Sequence, residues 1–162
     1  MSVSRVIAVL SVALFAAGCG WSPSSPPPPK ADTCQPADGP GPDTVTQAIA
    51  VVPPPTGSSW IQTAGGHTVD CRLYWVQLGI ANAEANSPQQ VVFFDRHTPL
   101  GPATPQPRPY INVINTGDDT VSVQYQWQQG NEGPCCPTGI GTVRFRIGDD
   151  GKLKALDPIP NA

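Results

Sequence analysis

The sequence predicts a single α+β domain: one short N-terminal helix, then an antiparallel β-sheet of about five to seven strands, stapled by disulfide bonds. Three observations predict this class. Several segments alternate apolar and polar side chains, the period of a strand with one face in a core. Clusters of Gly, Pro, Asn and Asp separate these segments. Helical spacing of apolar residues occurs in one stretch, early in the chain.

Length and charge limit the other possibilities. The 162 residues have room for one domain of ordinary size once an N-terminal targeting segment is set aside. The net charge is −3 and only 13% of the residues are charged, so the chain has no basic field that would hold a nucleic acid. We therefore expect no nucleic-acid partner.

The N-terminus has the order of an export signal. Arg5 precedes a largely apolar run of twelve residues at 6–17, too short to span a bilayer. The sequence AAGC, which ends at Cys19, resembles the lipobox of bacterial lipoproteins, although Ala16 stands where a leucine is usual. We predict a signal peptide at residues 1–18 and acyl chains such as palmitate on a diacylglyceryl Cys19, anchoring the protein to the outer face of the cell membrane. An ordinary cleaved signal with a chance cysteine is the alternative.

A proline-rich tether is expected next. Residues 19–33 contain four consecutive prolines that begin at Pro26, a composition that favours polyproline II at about 3.1 Å per residue. Such a tether would hold the following domain, residues 34–162, away from the lipid surface.

The helix is predicted at the start of this domain. Apolar residues recur at helical spacing within residues 44–52, Asp43 precedes them as a suitable N-cap, and three prolines from Pro53 onward end the segment.

The strands follow the helix. Residues 69–78, which come after a Gly/Ser loop, have apolar side chains at both alternating positions and predict a central strand. The other predicted strands are residues 90–95, a short return strand from Leu100, and residues 110–115, 121–128, 143–147 and 153–156. The two strands with the clearest alternation, 121–128 and 143–147, flank a loop rich in Gly and Pro that contains Cys135 and Cys136.

The ordered motifs together resemble the LppP/LprE family of mycobacterial lipoproteins. The motifs are the lipobox, CQPADGPGPDTVTQAIAVVP, DCRLYWVQ, QVVFFD, TVSVQYQW, GPCCPTG, TVRFR and DGKLKALDPIP. The resemblance covers residues 34–160 and implies a surface-exposed lipoprotein of the cell envelope. It supplies no established catalytic residue.

Four cysteines lie beyond the tether: Cys34, Cys71, Cys135 and Cys136. An even number in an exported domain predicts two disulfide bonds. A bond between the adjacent cysteines would close a strained ring, so we expect each of them to reach back to Cys34 or Cys71, in a connectivity left open. A four-cysteine zinc site is the alternative, but C-x-x-C spacing is absent and no metal is predicted.

No catalytic motif is found, and we predict neither an enzyme nor a cofactor. The two histidines, His67 and His97, lie in turn-like segments where a solvated side chain is the ordinary role. The adjacent carboxylates at 118–119 and 149–150 also fall in turns. Four large aromatic residues are expected in the core: Trp60, Trp75, Tyr125 and Trp127.

The predicted function is that of a lipid-anchored, non-enzymatic binding or structural module of the envelope. Its partner would be an envelope protein, a glycan or a lipid. A candidate binding face joins the outward residues of the two clearest strands, Gln124, Gln126, Gln128, Arg144 and Arg146, and an ordinary solvated sheet face is the alternative. Two other functions stay open: a carrier of an apolar envelope lipid, which needs a closed apolar cavity, and a hydrolase, which needs a polar cleft with a histidine and a carboxylate.

Overall fold

The computed structural model describes Pro26 and residues 31–161. Residues 31–162 form one compact unit. The signal peptide, Cys19 and most of the predicted tether lie outside the described residues, so the sequence alone supports those predictions. Within the described part, no helix is long and apolar enough to cross a membrane.

The described residues contain one α-helix and eight strands in two antiparallel sheets. A single 3₁₀ turn at Pro36–Asp38 precedes helix α1 (Pro42–Ala50). Sheet 1 contains, in spatial order, β1 (Trp60–His67), β2 (Leu73–Ile80), β3 (Gln90–Asp95) and β4 (Thr98–Pro102). Sheet 2 contains β5 (Ile111–Thr116), β6 (Val121–Trp127), β7 (Gly139–Ile147) and β8 (Leu153–Ala155). The α+β class is confirmed in outline, whereas the single sheet of five to seven strands is wrong.

Sheet 1 is covered on both faces, which makes the domain three layers deep. In β3, Val91 and Phe93 join the cluster shared with sheet 2, while Val92 and Phe94 join a second cluster with Ala48 of α1. Alternating side chains of a strand point to opposite faces, so a strand buried on both faces is apolar at every position. The apolar residues on both sides of β2 have the same cause, and β2 is central in its sheet as predicted.

The main core lies between the two sheets. The rings of Phe93 in sheet 1 and Phe145 in sheet 2 are 5.1 Å apart, and both side chains are fully buried. Gln77 of β2 is a buried polar residue whose amide donates to the carbonyl of Ile111 at 3.1 Å and accepts from the N–H of Val113 at 3.4 Å. Because a buried amide must find partners, these bonds fix where β5 lies against sheet 1.

β1 was not predicted, because this strand lacks the expected alternation of apolar and polar residues. Most of β1 is exposed at the edge of sheet 1, and it contains Ala64, Gly65 and Gly66. β2 also begins later than predicted, at Leu73. The residues before it leave the sheet at Cys71, whose φ is 55°.

The boundaries of other helices and strands differ from the predicted ones for local reasons. Asp43 is not the N-cap of α1, because Pro42 occupies the first helical position and Gly41 becomes the N-cap. Proline suits that position since its φ is already helical and its missing N–H would have had no partner there. β7 begins at Gly139, earlier than the predicted residue 143, because the glycines in this stretch pair with β6 instead of forming a loop. β3 has the predicted bounds.

Candidate functional site

The cysteines pair differently from the expected pattern. Cys34 bonds to Cys71 with a Cα–Cα distance of 5.4 Å, and Cys135 bonds to its neighbour Cys136. The expectation that the adjacent cysteines reach back to Cys34 or Cys71 is therefore wrong. The reason is the position of β6.

Cys71 lies beside the turn that leads into β6, since the N–H groups of Val69 and Asp70 donate to the carbonyls of Gly117 and Asp118. The adjacent cysteines follow the other end of β6. The seven residues of this strand span about 20 Å at about 3.3 Å per residue, too far for a disulfide between the two pairs.

The loop that contains Cys135 and Cys136 is ordered around Glu132. The Glu132 carboxylate accepts hydrogen bonds from the N–H of Gln129 at 2.8 Å, the N–H of Thr138 at 3.0 Å and the Thr138 hydroxyl. These bonds lower the pKa of Glu132, with the Thr138 hydroxyl as the largest cause. The loop therefore has a defined shape, and it presents both cysteines at the surface.

The candidate binding face of sheet 2 is only partly available. Gln124 and Gln126 lie between the buried residues of β6, but Gln128 lies beyond the end of the strand and donates to the carbonyl of Glu132 at 2.6 Å. Arg144 makes two bonds of 2.9 Å to the carboxylate of Asp157, so its planar fork already has a partner.

Arg146 is exposed, and its cross-strand neighbour on β8 is Lys154. Gln124, Gln126 and Arg146 are thus the three predicted face residues whose side chains bond neither to the cysteine loop nor to a carboxylate among the described residues.

The two histidines are far from an obvious catalytic arrangement. His67 Nδ1 lies 3.1 Å from the carbonyl of Thr68, and its Nε2 lies 3.3 Å from the carboxylate of Asp32. Both ring nitrogens therefore face acceptor oxygens. His97 is exposed in the turn between β3 and β4.

Asp32, Cys34 and His67 come close enough to suggest a metal site. However, the sulfur of Cys34 is bonded to Cys71 and offers no thiolate. An open cleft of about 440 Å³ lies next to His67 and Tyr74, and its walls are largely glycine, proline and valine.

A smaller cleft lies at the end of sheet 2 where β5 begins and β6 ends. Its volume is about 270 Å³. We call it the Arg108 cleft; its lining residues are Arg108, Pro109, Tyr110, Tyr125, Gln126, Trp127, Gln128, Pro160 and Asn161. Three of these residues are aromatic, three have side-chain amides and one is an arginine, a mixture of apolar and polar residues typical of a small-ligand site.

Arg108 is held in place by both its backbone and its side chain. Its backbone exchanges two hydrogen bonds with Gln89, of 2.9 and 3.0 Å. Its guanidinium donates to the carbonyls of Pro160 and Asn161, both at 2.6 Å, and lies 5.8 Å from the centroid of the Tyr125 ring. The positive charge is thus fixed at the cleft, and none of the ion pairs among the described residues includes it.

Tyr125 contributes a ring that is only 2% exposed. Its hydroxyl is buried and has no hydrogen-bond partner among the described residues. Burial raises the pKa of Tyr125 to about 12, with Arg108 opposing the shift, so the phenol keeps its proton at neutral pH. A buried hydroxyl without a partner costs about 1–3 kcal/mol.

Tyr110 joins the cleft to the cysteine loop. Its φ of 58° is unusual for a residue other than glycine. The carbonyl of Tyr110 accepts from the N–H of Gln126 at 3.1 Å, and its hydroxyl donates to the carbonyl of Pro134 at 2.7 Å. A strained backbone held by such bonds is common at binding sites.

Trp127 lies across β7, where Gly139 leaves room for its indole and Gly141 leaves room for the ring of Pro160. A Cβ at Gly139 would collide with the indole, and a Cβ at Gly141 would lie 2.7 Å from the ring of Pro160. Trp127 is only half-buried, in contrast to the expectation that it belongs to the core. Its ring is therefore positioned by backbone contact and remains available to the cleft.

The sequence analysis named Tyr125, Gln126, Trp127 and Gln128 but did not bring them together with Arg108. The segment around Arg108 was treated as a proline-rich connection, and the C-terminal prolines as a stop to the last strand. The available signal was the juxtaposition of an arginine and a tyrosine within PRPY, because charged and aromatic residues in a stiff loop are suited to ligand contact.

The fold defines an α+β protein in which a helix and two antiparallel sheets pack together, with a small cleft at one end of sheet 2. The model of the LppP/LprE lipoprotein family matches residues 65–150. The chain is 56% identical over 151 residues to proteins named "Putative lipoprotein LppP" from Mycobacterium bovis and from two strains of Mycobacterium tuberculosis. The match covers 93% of this chain and 86% of each relative. No solved structure matches the chain.

The chain belongs to the LppP/LprE lipoprotein family. The resemblance inferred from the motifs is confirmed, and membership of a lipoprotein family fits an association with the envelope or membrane.

Proposed function

We propose that this protein is a lipid-anchored binding module of the cell envelope, which acts without catalysis and takes its ligand in the Arg108 cleft. The observation that supports this function best is the cleft itself. Its lining includes the rings of Tyr110, Tyr125 and Trp127, and the Arg108 guanidinium is held beside them by two backbone carbonyls. Aromatic surface with a positioned polar group is what a small binding site offers to a ligand.

Anchoring on the outer face of the cell membrane is part of this proposal. It rests on Cys19 and the apolar run before it, together with membership of a lipoprotein family. Two or three acyl chains on one residue give lasting attachment, because each buried methylene contributes about 0.8 kcal/mol.

The outer face of sheet 2 is a second candidate surface. Gln124 and Gln126 form a short row along β6, joined by a 3.1 Å bond between their amides. Arg146 of β7 adds a cation that bonds to no carboxylate among the described residues. Sheet 1 covers the opposite face of sheet 2, so this outer face is the sheet surface that a protein partner could contact.

Each alternative function has weaker support. The lipid carrier would use the opening between the edge strands β4 and β8, about 550 Å³, but Thr98 and Lys152 share its walls with Leu100 and Leu153. The hydrolase would use His67 with Asp32, and both nitrogens of that ring already face acceptors.

Affinity capture from envelope extracts tests the binding module, with mass spectrometry of both proteins and lipids. We compare the wild type with Trp127→Ala, which removes a ring from the wall of the cleft, and Gln124→Ala, which shortens a side chain on the outer face. The proposal predicts that only Trp127→Ala removes the captured component. Loss with Gln124→Ala alone would move the site to the outer face of sheet 2, and no difference among the three proteins would contradict a role for either surface.

A further inference from the structure

We propose that Cys135 and Cys136 form a thiol-exchange site, at which an external thiolate attacks the disulfide and becomes attached to Cys135 as a mixed disulfide. The chemistry of the site defines its partner as a free thiol, on a small molecule or on a protein. Neither cysteine lines the Arg108 cleft, so the inference holds whether or not the cleft takes a ligand. Three features support it: the exposure of the pair, its geometry and the way the surrounding loop is held.

The two disulfide bonds of the domain differ in exposure. Cys135 and Cys136 are both exposed, whereas Cys34 and Cys71 are partly buried. Thiol–disulfide exchange requires a thiolate to reach one of the two sulfurs, so access decides which bond reacts first. The adjacent pair is therefore the disulfide that an incoming thiol reaches more easily.

The sulfur of Cys135 has an open side next to Gly133. A Cβ at Gly133 would lie 3.7 Å from Cys135 Sγ, so a larger side chain at this position would lie against the sulfur. Because glycine has no side chain, this approach to Cys135 stays open. We therefore assign Cys135 as the sulfur that is attacked and Cys136 as the sulfur that leaves.

The geometry of adjacent cysteines makes their disulfide easier to reduce. The peptide bond between Cys135 and Cys136 holds their Cα atoms 3.8 Å apart, whereas the Cα atoms of most disulfides lie about 4.4–6.8 Å apart. The Cys34–Cys71 bond, at 5.4 Å, falls within that range. Departure from the usual geometry makes a disulfide more reducible, and exposed, reducible disulfides are typically labile or catalytic ones.

The loop does not need this disulfide to hold its ends together. The Glu132 carboxylate accepts from the N–H groups of Gln129 and Thr138, which lie on either side of the cysteines in the sequence. The bond between adjacent residues adds little to this, since it closes no stretch of chain. Opening the disulfide therefore leaves both thiols in the same loop, where they can close again.

The exchange balances in two steps. The thiolate R–S⁻ attacks Cys135 Sγ, the sulfur–sulfur bond breaks, and its electron pair leaves on Cys136 Sγ, which takes a proton from water. This step gives the mixed disulfide between Cys135 and R. A second thiolate then attacks the sulfur of R and releases Cys135 as a thiolate. One protein disulfide and two thiols thus become a protein dithiol and R–S–S–R, with two electrons passed to the protein.

The first test measures how fast each disulfide is reduced in the full-length protein in detergent. Dithiothreitol is added, samples are quenched with acid, and the free thiols are alkylated and located by peptide mass spectrometry. We expect Cys135–Cys136 to be reduced at least tenfold faster than Cys34–Cys71. Gly133→Val should slow the first reaction at least threefold, because the new side chain covers the Cys135 sulfur. Asn131→Val, the same new residue elsewhere in the loop, should change it less than twofold.

The second test identifies the attached thiol in cells that export the protein. In Cys136→Ser, no neighbouring thiol can expel the partner from Cys135, so a mixed disulfide should accumulate and disappear with dithiothreitol. Cys135→Ser is the matched control and should carry less adduct, and the double Ser variant should carry none. A small increase in intact mass identifies a small thiol, whereas a larger band on a non-reducing gel identifies a protein thiol.

Several outcomes would overturn the proposal. Reduction of Cys135–Cys136 no faster than that of Cys34–Cys71 would remove the distinction between the two bonds. An unchanged rate in Gly133→Val, or more adduct on Cys135→Ser than on Cys136→Ser, would reject Cys135 as the attacked sulfur. Absence of adduct from both single variants would make the bond a structural one. None of these results bears on the Arg108 cleft, which the capture experiment with Trp127→Ala tests separately.

Discussion

The hydroxyl of Tyr110 donates a 2.7 Å hydrogen bond to the carbonyl of Pro134, which connects the segment before β5 to the loop of adjacent cysteines. The two residues are 24 positions apart in the sequence. Through this bond, the shape of the cysteine loop and the wall of the Arg108 cleft depend on each other.

Replacement of Tyr110 by Phe should loosen the cysteine loop while keeping the aromatic ring. The change removes one hydrogen bond near the surface, so we expect a loss of about 0.5–1.5 kcal/mol in the free energy of unfolding. Hydrogen exchange should become faster at the Cys136 and Thr138 amides, which donate within the loop. Unchanged exchange at both amides would show that the loop holds its shape without Tyr110.

The two disulfide bonds should contribute unequally to stability. The Cys34–Cys71 bond closes a loop with a sequence separation of 37, so replacing both cysteines with Ser should cost about 2–4 kcal/mol. The Cys135–Cys136 bond encloses no intervening residue, and its double Ser variant should lose less than about 1 kcal/mol. Denaturant unfolding of both variants measures the difference.

Peptide mapping without reduction provides the control for the pairing itself. It should recover Cys34 and Cys71 in one linked pair of peptides, and Cys135 with Cys136 in a single peptide two hydrogens lighter than its reduced form. A peptide that links either adjacent cysteine to Cys34 or Cys71 would contradict the structure.

Stability should fall in strong acid through Asp157. The hydrogen bonds from Arg144 lower the pKa of Asp157 from 3.8 to about 2. A carboxylate whose pKa is lowered by folding stabilises the protein above its ordinary value, and the contribution disappears as the pH falls through the folded value.

The melting temperature of Asp157→Asn should therefore be below that of the wild type at pH 7, and the difference should shrink between about pH 4 and pH 2. Asp119→Asn, an exposed turn carboxylate, is the matched control. A difference that stays constant down to pH 2 would mean that the Arg144 pair does not stabilise the fold through charge.

A methyl group at Gly139 should disturb the floor of the Arg108 cleft. Its Cβ would overlap the indole of Trp127, so Gly139→Ala should cost about 1–3 kcal/mol and shift tryptophan emission. Gly133→Ala is the control, since the nearest atom to its Cβ would be 3.7 Å away. Equal stability of the two variants would show that Trp127 can move without loss.

Lipidation of Cys19 remains a prediction from the sequence. Intact mass of the membrane-extracted protein should show the loss of residues 1–18 and the addition of acyl mass. Cys19→Ala should move the protein out of the membrane fraction. Full retention of that variant in membranes would mean that another feature anchors the chain.

The strands predicted best from the sequence are those in which a regular pattern of apolar residues is buried. β3 has the predicted bounds because Val91 to Phe94 are apolar on both faces and flanked by turn residues. β1 was not predicted because an exposed edge strand need not alternate apolar and polar side chains. Its pairing with β2 depends on the whole sheet and is not visible in the local sequence.

The cleft could not be predicted from the sequence, because the residues that line it are far apart in the chain. Arg108 and Asn161 are 53 residues apart and meet only because β5 and the C-terminal segment border the same end of sheet 2. The disulfide pairing failed for the same reason: the length of β6 separates the two cysteine pairs, and sequence spacing alone does not show that separation.

The Cys34–Cys71 bond has a mechanical consequence. Tension that reaches the domain through residues before Cys34 passes across the disulfide to Cys71, two residues before the central strand β2. α1 and β1 lie within the covalent loop between these cysteines. A pull on the N-terminal side therefore bypasses the short helix and the exposed edge strand, and the load falls on the strand that has hydrogen-bonded neighbours on both sides.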